Sequence, residues 1–221
     1  MEPFAGGLAV FLAKPPSSAE VINDINGDLV NFYRCVRFHR EAFLEEIEFV
    51  LHSRQEFFDF RAQPGLTDIQ RASRWYFRHR ECFRSVSMNT FGTSPNQPKY
   101  SKEANFETIR QLSVRLDRTT IEQLDWEKCL SVYDRAETFF YCDPPYTGGE
   151  VDIYKAWQVS DVLRFRQRLD SLKGQWLVSL NDTADIRKIF SDCNITPISR
   201  ARGVQQGEYK EVLIQAKPAV S

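Results

Sequence analysis

Cysteine, histidine and long apolar runs are all scarce in this chain. Its 221 residues include five cysteines and three histidines. Cys35, Cys82, Cys129, Cys142 and Cys193 are odd in number and never stand two or three residues apart. That pattern argues against a zinc knuckle, a redox pair and a secreted disulfide framework, and leaves buried free thiols. His39, His52 and His79 fall on predicted helices away from every motif, so no metal is implied. No apolar run approaches the length that spans a bilayer. Glu2-Pro3 stands where a secretory signal would carry basic residues, and the expectation is a soluble, cytoplasmic protein. Internal repeats and low-complexity tracts are absent. So are the Gly-Lys-Ser/Thr of a phosphate-binding loop and the full dinucleotide glycine pattern.

What is present suits a folded enzyme body. Hydrophobic residues make up 42% and charged residues 27%, which excludes a disordered or collagen-like chain. At roughly 150 residues per domain, the length predicts one large domain or one and a half. The net charge is -1, but it is unevenly spread. Residues 61–115 carry ten Lys/Arg against four Asp/Glu, whereas the rest carries 19 against 26. A basic insert in an acidic scaffold points to a polyanion-facing module on an enzyme, with a merely solvated Arg-rich helix as the plain alternative.

Periodicity organises the chain. A short strand is expected at residues 20–23, then helices at 28–38 and 41–51, the first with Leu29, Phe32, Tyr33 and Val36 on one face. Pro64-Gly65 breaks the pattern. A helix at 68–83 follows, then loop chemistry over 85–104 and a helix at 106–116. Strands are expected at 119–124, 138–142, 176–180, 195–198 and 211–216, with helices at 162–172 and 184–190 among them. That alternation implies a mainly parallel α/β sheet, interrupted by a helical insertion at about 55–116.

Four features sit where strands end, the place where open α/β sheets bind ligands. Asp143-Pro144-Pro145-Tyr146 follows the apolar strand Phe139-Phe140-Tyr141-Cys142. Two prolines cannot continue a ladder, so the chain leaves the sheet in a fixed extended shape. This turn offers a carboxylate, carbonyls and an aromatic face, a set suited to an exocyclic amine. An ordinary proline turn is the alternative. Glu2-Pro3-Phe4-Ala5-Gly6-Gly7 is a glycine turn that lets backbone approach a ligand closely. Asn23-Asp24-Ile25-Asn26 places an acid about twenty residues past that turn, suited to ribose hydroxyls or to capping the next helix. Leu124-Asp125-Trp126 offers an acid and an aromatic to an adenine ring, or equally an N-cap and a core Trp.

Together these residues resemble the adenine-specific DNA methyltransferases of the DNA adenine methylase (Dam-like) family. Glu-Pro-Phe-x-Gly matches at Glu2 to Gly6, Asn-Asp-Ile-Asn at Asn23 to Asn26, and Asp-Pro-Pro-Tyr at Asp143 to Tyr146. Residues 178–182 look like the family's strand and loop beside the target base, and 210–214 like its closing strand. The resemblance implies an α/β, Rossmann-like sheet that binds S-adenosylmethionine. It divides the chain into a cofactor-binding catalytic domain, 1–54 and 117–221, and a helical target-recognition insert, 55–116. Phe4, Gly6 and Gly7 would line the methionine end of the cofactor, Asp24 its ribose and Asp125 its adenine. Asp143, Pro144, Pro145 and Tyr146 would receive the target adenine, flipped out of double-stranded DNA for direct methyl transfer. Cys142 is read as a structural thiol. Arg71, Arg74 and Arg78 would contact phosphates, with Asn96 and Lys99 in the base-reading loop. A monomer, with a cognate restriction endonuclease in a restriction-modification setting, fits the same picture.

In two places the chain departs from the family. Leu8 stands where many members carry a small residue. The family also has a strand feeding the glycine turn, preceded by a Gly-Gly-Lys segment and a helix that covers the cofactor. The chain begins one residue before Glu-Pro-Phe, so the first strand and covering segment are expected to be missing, through a start site placed too late, a truncated gene remnant or a piece supplied by another chain, the first being favoured. The competing expectations are a non-catalytic DNA-binding remnant and an amine methyltransferase acting on RNA or protein.

Overall fold

A computed structural model describes residues 1–82, 88–92, 102–147, 156–200 and 209–217. The chain divides into two compact units, one comprising Gly6–Gln123 with Val151–Ile153, the other Met1–Ala5, Leu124–Glu150 and Tyr154–Ser221.

The Gly6–Gln123 unit is mostly helical. It runs α1 (Ala9–Ala13), β1 (Glu20–Asn23), α2 (Gly27–Phe38), α3 (Arg40–Glu48), α4 (Arg54–Ala62), α5 (Asp68–Glu81), α6 (Lys102–Leu116) and β2 (Thr119–Glu122). The strands β1 and β2 pair in parallel, Glu20 opposite Thr119. Asn26 caps α2 by accepting from the Asp28 and Leu29 amides, and Thr67 with Gln70 forms a capping box on α5. The apolar stripe of α2 meets that of α5: the Phe32 ring stacks on Tyr76 at 5.3 Å and meets Trp75 at 5.5 Å. Rings buried this way stabilise the unit by about 1.5–3 kcal/mol each.

An ionic knot ties α1, β1 and α6. The Glu20 carboxylate accepts from Arg115 Nη1 and Nη2 and from Lys14 Nζ. The Arg115 guanidinium also lies 3.7 Å from the centroid of the Phe11 ring and donates to the Phe11 carbonyl. Hydrogen bonding from Arg115 is the main cause that pulls the Glu20 carboxyl down to about 2.

The other unit contains α7 (Trp126–Tyr133), β3 (Phe139–Cys142), α8 (Val159–Asp170), β4 (Gln175–Asn181), α9 (Ala184–Ile189), β5 (Asn194–Arg200) and β6 (Tyr209–Gln215). Its sheet has the order β3-β4-β6-β5. Only β3 and β4 are parallel, and β6 inserts antiparallel to both of its neighbours. The expected mainly parallel sheet is therefore corrected. Eight residues separate β5 from β6, fewer than the crossover between parallel neighbours needs. The first residues also join this unit: the Met1 amine donates to the Phe139 carbonyl at 2.9 Å and the Tyr141 amide to the Met1 carbonyl at 3.0 Å. Phe140, Phe165, Trp176, Val178, Leu180 and Val212 form the centre of the core.

The expected helix at 41–51 ends at Glu48, and α6 begins at Lys102, inside the stretch expected to be loop. Helices α1 and α4 (five and nine residues) were not expected as such; each buries a single side chain, Phe11 in α1 and Phe57 in α4, and so shows little of an apolar stripe. All five cysteines are buried and free, as expected. Among the described residues, no helix is long and apolar enough to cross a membrane.

Candidate active site

The glycine turn is held by side chains rather than by a ladder. Gly6 has φ +46°, a left-handed conformation that favours glycine. Its amide donates to Asp24 Oδ2 at 2.9 Å, and the Asn26 amide donates to Asp24 Oδ1 at 2.9 Å. Asp24 is 4% exposed, so both oxygens of a buried carboxylate engage backbone donors. The Gly6 carbonyl accepts from the hydroxyl of Tyr33, which projects from α2. Leu8 is fully buried with φ 60°, and starts α1. A Cβ added at Gly6 or Gly7 would meet nothing within 4 Å. The turn therefore borders open space beside a buried acid, which fits the sugar and the amino-acid end of a nucleoside cofactor.

The second cluster forms at the end of β3. Cys142 is fully buried and its thiol is pushed far up by burial, which marks it as structural. One residue later Asp143 is exposed, followed by the buried Pro144 and half-buried Pro145 and Tyr146. The Tyr146 hydroxyl donates to Asp143 Oδ1 at 3.2 Å and lies 3.3 Å from Ser179 Oγ of β4. Burial, then the Asp143 charge, push the phenol well above its ordinary value, so Tyr146 stays a neutral donor. The Asn181 side-chain amide donates to the Thr147 carbonyl at 3.1 Å, holding the turn against the end of β4.

The remaining expected residues fall into three groups. The Phe4 ring packs among Trp126, Trp157 and Phe165 at centroid distances of 6.4, 5.6 and 5.9 Å. Asp125 is exposed and caps α7, accepting from the Glu127 amide, while Trp126 is 8% exposed in the core. On α5, Arg71 pairs with Asp68 and donates to the Leu66 carbonyl. Arg74 donates to the Gln63 carbonyl and lies over Phe60. Arg78 donates to the Met88 carbonyl at 2.8 Å, and burial lowers its pKa. Asn96 and Lys99 lie outside the described residues. Sequence reading placed Tyr33 only on an apolar face, although a buried tyrosine hydroxyl needs a partner and that need was the available signal. Ser179 was noted only as part of the strand at 178–182.

Small sheets and helices in both units, each with an acid just past a strand end (Asp24 after β1, Asp143 after β3), define the class as a mixed α/β protein. The family follows from comparison. The model of the D12 class N6 adenine-specific DNA methyltransferases matches residues 1–204, and the chain belongs to that family. It is similar to the type II methyltransferase M1.LlaDCHI of Lactococcus lactis subsp. cremoris, at 27% identity over 96% of this chain and 84% of that protein. The retron Ec67 DNA adenine methylase of Escherichia coli is 26% identical over 95% of this chain and 79% of its own length. The type II methyltransferase M.CviBI of Paramecium bursaria Chlorella virus NC1A is 24% identical over 86% and 75%. The function is S-adenosylmethionine-dependent methylation of adenine N6 in DNA.

Proposed function

We propose that the chain binds S-adenosylmethionine at the Gly6-Gly7 turn and receives a flipped adenine of double-stranded DNA at Asp143, Pro144, Pro145 and Tyr146. The exposed Asp143 carboxylate, bonded by a neutral Tyr146 that Ser179 holds in turn, is the observation that carries this reading.

When bound, the cofactor supplies an electrophilic methyl group on a sulfonium centre. The rest is done by the chain. Gly6 and Gly7 leave room for the amino-acid end, with Phe4 alongside, and Asp24 takes the ribose hydroxyls. Asp125 takes the adenine of the cofactor. Asp143 and the Pro144 carbonyl accept the two hydrogens of the target amine, which keeps its lone pair on nitrogen rather than in the ring. Pro145 stiffens the turn and the Tyr146 ring stacks on the base. The Asp143 carboxylate then takes the proton that the methylated nitrogen releases.

In the same reading residues 1–54 and 117–221 form a Rossmann-like catalytic domain and 55–116 a target-recognition insert. Arg71, Arg74 and Arg78 meet phosphates, with Asn96 and Lys99 in the base-reading loop. The enzyme acts as a monomer, alongside a cognate restriction endonuclease.

Gly7→Ala tests the cofactor half of this reading. The fold has room for the new Cβ, so the melting temperature stays put. Crowding of the cofactor weakens S-adenosylmethionine binding about five- to 150-fold, the effect of overpacking by about 1–3 kcal/mol. Unchanged affinity, measured by calorimetry, overturns the placement.

A further inference from the structure

We propose that Tyr33 is a positioning residue for cofactor binding, setting the conformation of the glycine turn through the Gly6 carbonyl. This rests on the reading that the Gly6-Gly7 turn binds S-adenosylmethionine. Gly6 is gripped on both its peptide groups: Asp24 takes its amide and Tyr33 its carbonyl. The single amide donor of Gly6 is thus used within the fold and its carbonyl is held from one side, so the contribution of Gly6 is the shape it imposes. A residue at φ +46° has alternative basins open to it, and glycine more than any other. The two side chains select one basin before the cofactor arrives, which spares that ordering cost at binding.

Tyr33 is well placed for this. Its ring is 3% exposed on the core face of α2 and packs at 5.4 Å from Phe32. The start of α2 is pinned by the Asn26 cap, two residues past Asp24. The hydroxyl is thus carried on a rigid support and aimed at one acceptor. Asp24 lies in the β1–α2 turn and Tyr33 within α2, so one continuous segment supplies both grips.

Tyr33→Phe keeps the ring and removes the grip. Methyl transfer to duplex DNA by this variant shows a roughly three- to tenfold higher KM for S-adenosylmethionine, the worth of one hydrogen bond. Its kcat at saturating cofactor and its KM for DNA stay at the wild-type level. Tyr76→Phe is the control. It removes another buried hydroxyl of the same unit, one that donates to Asn105 Oδ1 at 3.1 Å, and leaves the cofactor KM unchanged. The proposal is overturned if Tyr33→Phe leaves the cofactor KM unchanged. It is equally overturned if Tyr76→Phe raises that KM as much, or if kcat falls in step with it. Gly7→Ala separates the two layers. If Gly7→Ala raises the cofactor KM and Tyr33→Phe does not, only the role of Tyr33 fails. If neither raises it, the reading of the turn fails and takes this proposal with it.

Discussion

Asp24 and Asp143 begin alike and end in opposite states. Each is the first residue past a short strand, β1 or β3, in a run of motif residues. Asp24 is buried, with a backbone amide on each oxygen. Asp143 is exposed, and the neutral phenol of Tyr146 donates to it. The first turn is flexible by composition, since it contains two glycines, and needs a charged acceptor to order it. The second is stiff by composition, since two prolines fix it, so the turn keeps its shape without burying its carboxylate. Two acids with the same backbone address thus differ in what they do for the fold, one ordering the glycine turn and the other open to solvent.

That contrast sets the order of expected effects. Asp143→Ala lowers the methyl-transfer rate at least about a hundredfold while the melting temperature holds, because an exposed side chain is removed. A stopped-time assay with labelled cofactor and a thermal melt decide it. Asp24→Ala does the reverse: it destabilises the fold by about 2–3 kcal/mol, since two amides lose a charged acceptor. Loss of cofactor binding in that variant reflects loop order as well as ribose contact. Urea unfolding gives the number, and a change below the error of the fit breaks the comparison.

Glu20 is a third acid, held for structure alone, and its effect is read through pH. Its folded value of about 2 lies below the ordinary 4.5. Its contribution is therefore fully present above about pH 4.5 and disappears as pH falls toward 2. Glu20→Gln loses about 2–3 kcal/mol at pH 7. Its stability also varies less between pH 4.5 and pH 2 than that of the wild type. A parallel pair of pH–stability curves would contradict the ionic knot. Smaller still, Gly6→Ala costs about 1 kcal/mol from its left-handed φ. Asp125→Ala costs about the same by losing the α7 cap. Melts of the two variants check both values.

The sequence made legible the parts with a strong local cause. Asp-Pro-Pro-Tyr announced where β3 must end, because prolines act through their own covalent geometry. The heptad-like spacing of Leu29, Phe32, Tyr33 and Val36 placed α2 to within a residue of its start. Illegible were the things set by partners distant in the chain. Nothing local tells that Asp24 binds the Gly6 amide 18 residues back. The antiparallel insertion of β6 depends on which neighbours it joins, and its own pattern of side chains is the same for either direction. Equally, nothing local tells which partners Arg71, Arg74 and Arg78 take within their own helical unit: Asp68 and the Gln63 and Met88 carbonyls.

Calorimetric titration of Asp143→Ala with S-adenosylmethionine tests the division of labour most directly. The account predicts a dissociation constant within about twofold of the wild type in a protein that has lost methyl transfer, since less than ~0.5 kcal/mol of binding is at stake. Binding that falls together with transfer would contradict it, because Asp143 would then belong to the binding machinery and the contrast with Asp24 would dissolve.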